Sequence, residues 1–180
     1  MSKPPTGIRE NLQFRKGTKR MLSEDEELKF VDDLCQKLES EALGNVNNEA
    51  ELKACLHNVI NDWKNTTSYK DMVQVWNDRF MMERFSAFNR LWWPDISIQT
   101  TEKPSFIAVE LKLGKKDGKG TALKSGIGQA IIYSNIYDYT ILFCLLKVGY
   151  VPEKHEHDAR IKPALWASHK IKVIIRYEPS

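Results

Sequence analysis

The sequence contains no apolar run of about 18 residues, so it predicts no transmembrane helix. Its first twenty residues lack the apolar segment of a secretory signal peptide. Cysteine is scarce, and Cys35, Cys55 and Cys144 lie in apolar surroundings without CxxC spacing. Such an odd, unpatterned set indicates buried free thiols in a reducing compartment. We therefore expect an intracellular protein, cytoplasmic or in the nucleoid or nucleus, with no membrane partner.

Several catalytic signatures are also missing from the sequence. There is no Ser-His-Asp order and no dinucleotide-binding fingerprint. The sequence also has no internal repeat. The stretch GKKDGKG lacks the GxxxxGK[ST] spacing of a phosphate-binding P-loop, which argues against nucleotide binding of that kind. What remains is a chain of 180 residues, 42% hydrophobic and 28% charged, as expected for one globular domain.

The net charge of +3 is small but unevenly distributed. Residues 1–20 carry six basic residues against one acid, and we expect them to form a flexible basic arm. A second basic segment, 112–124, carries five lysines against one aspartate. Separate basic patches can bind a nucleic-acid backbone, although charge alone favours a solvated tail and loop. The loop lysines that would contact nucleic acid are Lys115, Lys116, Lys119 and Lys124.

The first half of the chain has helical signals. Ser23 and Glu26 have the spacing of a capping box, and Asn48 with Glu51 indicates a second helix start. Ser68 predicts a third start, followed by an apolar stripe at Met72, Val75, Trp76 and Phe80. We therefore expect residues 21–90 to be mainly helical.

The pattern changes after residue 90. Alternating and continuous apolar runs predict strands, an apolar run at helical spacing predicts a crossover helix, and a polar stretch at 153–163 predicts a loop. The predicted strands are 95–99, 106–113, 140–146 and 170–177, the last at a sheet edge, and the predicted helix is 127–138. This order predicts that residues 21–180 form one α/β domain with at least one βαβ crossover, its sheet core within residues 91–180.

Three charged residues lie in or beside these apolar strands. Successive strand side chains point to opposite faces, so Phe106, Ala108, Glu110 and Lys112 share one face. If the strand that begins at Asp95 pairs with this one, its carboxylate reaches the same place. Two converging carboxylates repel each other unless a cation lies between them, and hard oxygen ligands favour Mg²⁺ or Mn²⁺.

Pro94-Asp95, a gap of fourteen residues and then Glu110-Leu111-Lys112 resemble the motif of the PD-(D/E)XK nuclease superfamily. Gln129, flanked by Gly128, resembles the helix-borne glutamine of several branches, and the run TILFCLL falls where the family's next parallel strand belongs. The resemblance covers about residues 91–146. It implies a restriction-endonuclease-like fold, with a mixed central sheet flanked by helices and a helical N-terminal region.

The resemblance also implies Mg²⁺- or Mn²⁺-dependent hydrolysis of phosphodiester bonds, most readily in DNA. Asp95, Glu110 and the carbonyl of Leu111 would bind the metal. Lys112 would position or activate the water, and Gln129 would orient a ligand or contact nucleic acid. Many members use an upstream helical acid as well, and we expect Glu51 first, with Glu49 and Glu83 as alternatives.

Other interpretations of these residues remain open. Glu110 and Lys112 can form an ordinary charge pair on a solvated face, worth under about 1 kcal/mol. The chain can also be a catalytically silent nucleic-acid-binding module, or a scaffold that keeps a nuclease-like fold. A homodimer is compatible with the nuclease hypothesis, because two sites cut two strands most simply.

Overall fold

The computed structural model describes residues 21–78, 82, 85–87, 90–114, 121–147 and 158–178. The predicted basic arm, 1–20, lies outside them. In these residues the structure is α/β, as predicted. In chain order they are α1 (Glu24–Ser40), α2 (Glu49–Asn65), β1 (Val73–Trp76), β2 (Phe85–Ala87), β3 (Arg90–Trp92), β4 (Ile96–Thr100), β5 (Ile107–Gly114), α3 (Thr121–Tyr133), β6 (Tyr139–Lys147), α4 (Asp158–His169) and β7 (Ile171–Glu178).

The main sheet is mixed and has five strands in the order β1-β4-β5-β6-β7. Strands β1, β4 and β5 pair antiparallel, whereas β5, β6 and β7 pair parallel. The parallel pairs are joined through α3 and α4, so the predicted βαβ crossover is confirmed and occurs twice. The last strand lies at the sheet edge, as predicted.

The two N-terminal helices begin where the sequence predicts. Ser23 and Glu26 form the complete capping box of α1, and the Asn48 side chain accepts a hydrogen bond from the backbone N–H of Glu51 at the start of α2. The first helix ends at Ser40, and Gly44, with a left-handed φ of 67°, follows in the connection to α2. The apolar stripes of α1 and α2 pack on one face of the main sheet.

The predicted third helix is wrong. Residues 73–76 form β1, which pairs with β4 at the sheet edge. The sequence VQVW has the β-branched and aromatic residues of a strand, and the stripe from Met72 was too short to separate the two periods. A short antiparallel hairpin, β2–β3, follows. Among the described residues between 21 and 90, helix is therefore found only as far as Asn65.

The two crossover helices also differ from expectation. Helix α3 covers 121–133 rather than 127–138, so part of the predicted lysine loop is helical. Helix α4 begins inside the predicted polar loop and contains Pro163, a residue that normally interrupts helices. Buried Leu165 and half-buried Trp166 attach α4 to the rest of the structure, because they pack into the hydrophobic clusters on the two faces of the sheet.

Strand β6 is buried on both faces, as its continuous apolar run predicts. Phe106 is a correction to the predicted faces: it precedes β5 and packs on Phe30, with ring centroids 5.9 Å apart, on the α1 side. Cys35 and Cys144 are buried free thiols, as predicted, while Cys55 is half-buried and its Sγ donates a hydrogen bond to the carbonyl of Leu43 at 3.5 Å. Within the described residues, none of the helices has the length and apolar character to span a bilayer.

Candidate active site

The predicted convergence of charges occurs at the carboxyl end of β5. Strand β4 pairs antiparallel with β5, and Ile96 lies opposite Val109, which brings Asp95 next to Glu110. Alternation along β5 turns Glu110 and Lys112 towards α3, whereas Val109 and Leu111 pack in the cluster that contains α1 and α2. The sheet therefore gathers Asp95, Glu110 and Lys112 at one place.

Glu110 and Lys112 form a largely buried ion pair. Lys112 Nζ lies 2.6 Å from Glu110 Oε1, and the side chains are 13% and 2% exposed. Burial and then repulsion by Asp95 raise the pKa of Glu110 to about 7, against the opposing effect of Lys112. Burial opposes the charge on Lys112, but the nearby acids outweigh it and raise the pKa of the lysine. The pair is thus not an ordinary pair on a solvated face.

Asp95 immediately precedes β4 and lies at the edge of β5, just beyond the paired residues of the two strands. Its Oδ2 accepts a hydrogen bond from the backbone N–H of Leu111 at 2.9 Å. Burial raises the pKa of Asp95, partly offset by this bond and by Lys112 and Lys53. The N–H and C=O of one strand residue point to the same side, so the carbonyl of Leu111 faces the same edge as Asp95.

Of the two candidate acids that the structure describes, Glu49 reaches this edge, whereas Glu51 is engaged elsewhere. Glu49 Oε1 accepts a hydrogen bond from the backbone N–H of Leu113 at 3.4 Å. The carboxylate of Glu51 is instead engaged at the start of α2, where it accepts from Asn47 N at 2.8 Å and from Asn48 Nδ2 at 2.6 Å. The preferred candidate, Glu51, therefore stabilises a helix end, and Glu49, one of the two alternatives, lies at the site. Glu83 is outside the described residues.

The other predicted site residues are only partly visible. Gln129 is half-buried on α3, and its Oε1 accepts a hydrogen bond from Ser125 Oγ at 3.4 Å. Among the described contacts, no hydrogen bond joins it to Asp95 or Glu110. Lys124 is exposed near the start of α3. Lys115, Lys116 and Lys119 lie outside the described residues.

Tyr133 is a site residue that the sequence reasoning missed. It is 2% exposed, and its hydroxyl donates a hydrogen bond to the carbonyl of Trp93 at 2.7 Å. Burial, and then the negative charges of Glu110 and Asp95, raise its pKa. Tyr133 thus holds the segment leading into Asp95. Its position four residues after Gln129, on the same helix face, was the available signal.

Gly126 allows α3 to approach Lys112 closely. A Cβ at Gly126 would lie 2.6 Å from Leu142 Cδ1 and 3.0 Å from Lys112 Cγ, whereas a Cβ at Gly128 would meet nothing within 4 Å. We therefore expect Gly126→Ala to destabilise the protein by about 1–3 kcal/mol through overpacking. Gly128→Ala, the matched control on the same helix, should stabilise it by about 0.5–1 kcal/mol. Urea unfolding measures both values, and equal stabilities would contradict the close approach.

The donor chemistry at this edge suits a hard divalent cation, since it consists of carboxylate and carbonyl oxygens. In this structure each acid is engaged by protein: Glu110 by Lys112, Asp95 by the N–H of Leu111 and Glu49 by the N–H of Leu113. Accordingly, no group of three or more His, Cys, Asp or Glu is arranged to hold a metal ion within the described part of the chain. A cation at this point would lower the raised pKa of Glu110, because it would favour the charged carboxylate.

Comparison of the chain with protein-family models, curated proteins and solved structures gives no significant match.

Proposed function

We propose that the protein is a Mg²⁺- or Mn²⁺-dependent nuclease of the PD-(D/E)XK superfamily, with a restriction-endonuclease-like fold and DNA as its substrate. The observation that carries the proposal is the buried Glu110–Lys112 pair beside Asp95. Burying a charged pair requires compensation for lost hydration. Asp95 adds a second negative charge beside Glu110, so more compensation is needed. A pair with a purely structural role would avoid this additional cost.

Each residue of the site would have a distinct role in this reaction. Asp95, Glu110 and the carbonyl of Leu111 would hold the cation, with Glu49 as the upstream acid in place of Glu51. When bound, the cation supplies Lewis-acid activation of water and stabilises charge on the phosphate. Lys112 would hold the attacking water and stabilise the negative charge that develops on the phosphate oxygens. Tyr133 keeps Asp95 in position through the Trp93 carbonyl.

Binding and cleavage assays test the proposal together. Mg²⁺ and Mn²⁺ would be titrated calorimetrically into wild type, Glu110→Gln and Asp62→Asn. Asp62 is exposed on α2 and loses the same charge, so it is the matched control. Cleavage would then be followed on labelled linear, nicked, branched and single-stranded DNA, and on single-stranded RNA.

We expect wild type and Asp62→Asn to bind metal and cleave, and Glu110→Gln to be at least about 100-fold slower. Cleavage of RNA alone would overturn the proposal that DNA is the substrate, but it would support the proposal that the protein is a nuclease. Metal binding and cleavage that are both absent in wild type, even with nucleic acid present, would overturn the proposed function and favour a silent binding module or scaffold.

A further inference from the structure

The start of α2 lies against the same end of β5 as the acids. Glu49, in the first turn, reaches the backbone N–H of Leu113. Residues four apart on a helix lie on one face, so Lys53 follows Glu49 one turn further along this side. Leu52 and Leu56 are fully buried in the cluster that contains β5, which fixes this part of the helix against the sheet.

Lys53 is half-buried and has no ion-pair partner among the described residues. Some of the other described lysines are paired with carboxylates, such as Lys29 with Asp33, Lys103 with Glu27, and Lys172 with Asp32. The first turn of α2 is held at the end of β5 by the Glu49 contact, and Lys53 follows one turn later on the same helix face. A lysine without a carboxylate of its own thus lies on the side of α2 that meets the site.

We propose that Lys53 binds a backbone phosphate of the nucleic-acid substrate, so that the substrate crosses the carboxyl end of β5 between α2 and Lys112. The proposal rests on the proposed function and adds a substrate-binding residue to it. A lysine ammonium binds phosphate as a compact point charge. Because α2 is fixed by its buried leucines, the backbone at Lys53 needs no ordering when the substrate arrives, which limits the entropy lost on binding.

The position of Lys53 complements that of Lys112. Lys112 projects from the α3 face of β5, whereas α2 packs on the opposite face and reaches the open edge through Glu49. Cationic groups therefore flank the acids from both faces of the sheet. A phosphodiester chain carries a charge at every nucleotide, so a phosphate beside the one at the acids would lie near the second cation.

The test measures the salt dependence of DNA binding without cleavage. Fluorescein-labelled duplex and single-stranded DNA oligonucleotides would be titrated with wild type, Lys53→Ala, Lys53→Arg and Lys70→Ala in EDTA. Anisotropy would be read between about 50 and about 200 mM KCl. Lys70 is exposed and precedes β1 at the end of the sheet away from Asp95, so its substitution is the matched loss of one charge.

For Lys53→Ala we expect weaker binding and a slope of log K against log salt that is shallower by about 0.9 for duplex or about 0.7 for single strands. Lys53→Arg should keep most of the wild-type slope, and Lys70→Ala all of it. In cleavage assays, Lys53→Ala should raise KM more than it lowers kcat, because the phosphate contact is present before the reaction as well as during it.

A slope for Lys53→Ala equal to that of Lys70→Ala would overturn the inference, even if wild type cleaves DNA. Binding without cleavage by wild type would overturn the proposed function, and the slope would still decide the role of Lys53. Wild type that binds neither oligonucleotide would overturn both. Circular dichroism of Lys53→Ala separates a folding defect from lost binding, and the same titration of Lys53→Gln, which keeps a polar side chain without the charge, should give the same shallower slope.

Discussion

Lys112→Met is expected to slow cleavage by at least about 100-fold and to destabilise the protein at pH 8 by about 2–4 kcal/mol. The substitution removes the ammonium that lies 2.6 Å from Glu110 Oε1, and Glu110 is 2% exposed. A buried carboxylate without its partner must either remain charged at high cost or take up a proton. The loss of stability should therefore be smaller near pH 5, where Glu110 is protonated in both proteins.

The double variant Glu110→Gln/Lys112→Met separates catalysis from stability. Both charges are then absent, so stability at pH 8 should return to within about 1 kcal/mol of wild type, while cleavage stays lost. Lys103→Met is the control, because Lys103 Nζ lies 2.7 Å from Oε1 of the buried Glu27, and Lys103 follows β4 at the end of the strand pair away from Asp95 and Glu110. It should lower stability and leave cleavage unchanged. An active double variant would show that the pair serves only the fold.

Much of the site could be predicted because it depends on local rules. The period of two along β5 gives the face that Glu110 and Lys112 share, and the antiparallel partner of β5 then brings Asp95 to Glu110. Capping signals likewise gave the starts of α1 and α2. These inferences need only neighbouring residues and one strand pairing.

What could not be predicted depends on long-range packing. Glu49 and Glu51 both lie in the first turn of α2, and only the docking of that helix on β5 decides which carboxylate reaches Leu113. Tyr133 meets the Trp93 carbonyl across a separation of 40 residues. The close approach at Gly126 depends equally on where α3 sits, since its nearest neighbours belong to β5 and β6.

The wrong predictions for β1 and α4 have a different origin, because the local sequence signal of each element is weak. The four residues of β1 fit a helical stripe as well as a strand, and pairing with β4 decided the outcome. Helix α4 is polar and contains Pro163, so its sequence looks like a loop. Its packing residues, Leu165 and Trp166, stabilise a helix that intrinsic propensity alone would not specify.

The second large effect is on the pH dependence of stability in the metal-free protein. The pKa of Glu110 is raised from 4.5 to about 7 in the folded state, so between these values the folded protein binds more protons than the unfolded chain. Stability should therefore be highest below about pH 4.5 with respect to this group, and fall by about 3 kcal/mol as pH rises through about 7. The raised pKa of Asp95 acts in the same direction, whereas Lys112 contributes a change only above its ordinary pKa of 10.5.

Urea unfolding of wild type and Glu110→Gln across this range isolates the contribution of Glu110 together with its coupling to Asp95 and Lys112, because groups remote from the site titrate alike in both proteins. The difference in stability between them should change by about 3 kcal/mol between about pH 4.5 and about pH 8. Mg²⁺ should reverse the loss in wild type at pH 8 and have little effect near pH 5, since a cation binds the ionised acids and must compete with protons for them. An equal pH slope in Glu110→Gln would assign the titration to another group. A slope that Glu110 causes but Mg²⁺ leaves unchanged would mean that the buried acids do not hold a cation, because binding to the folded state alone must raise its stability.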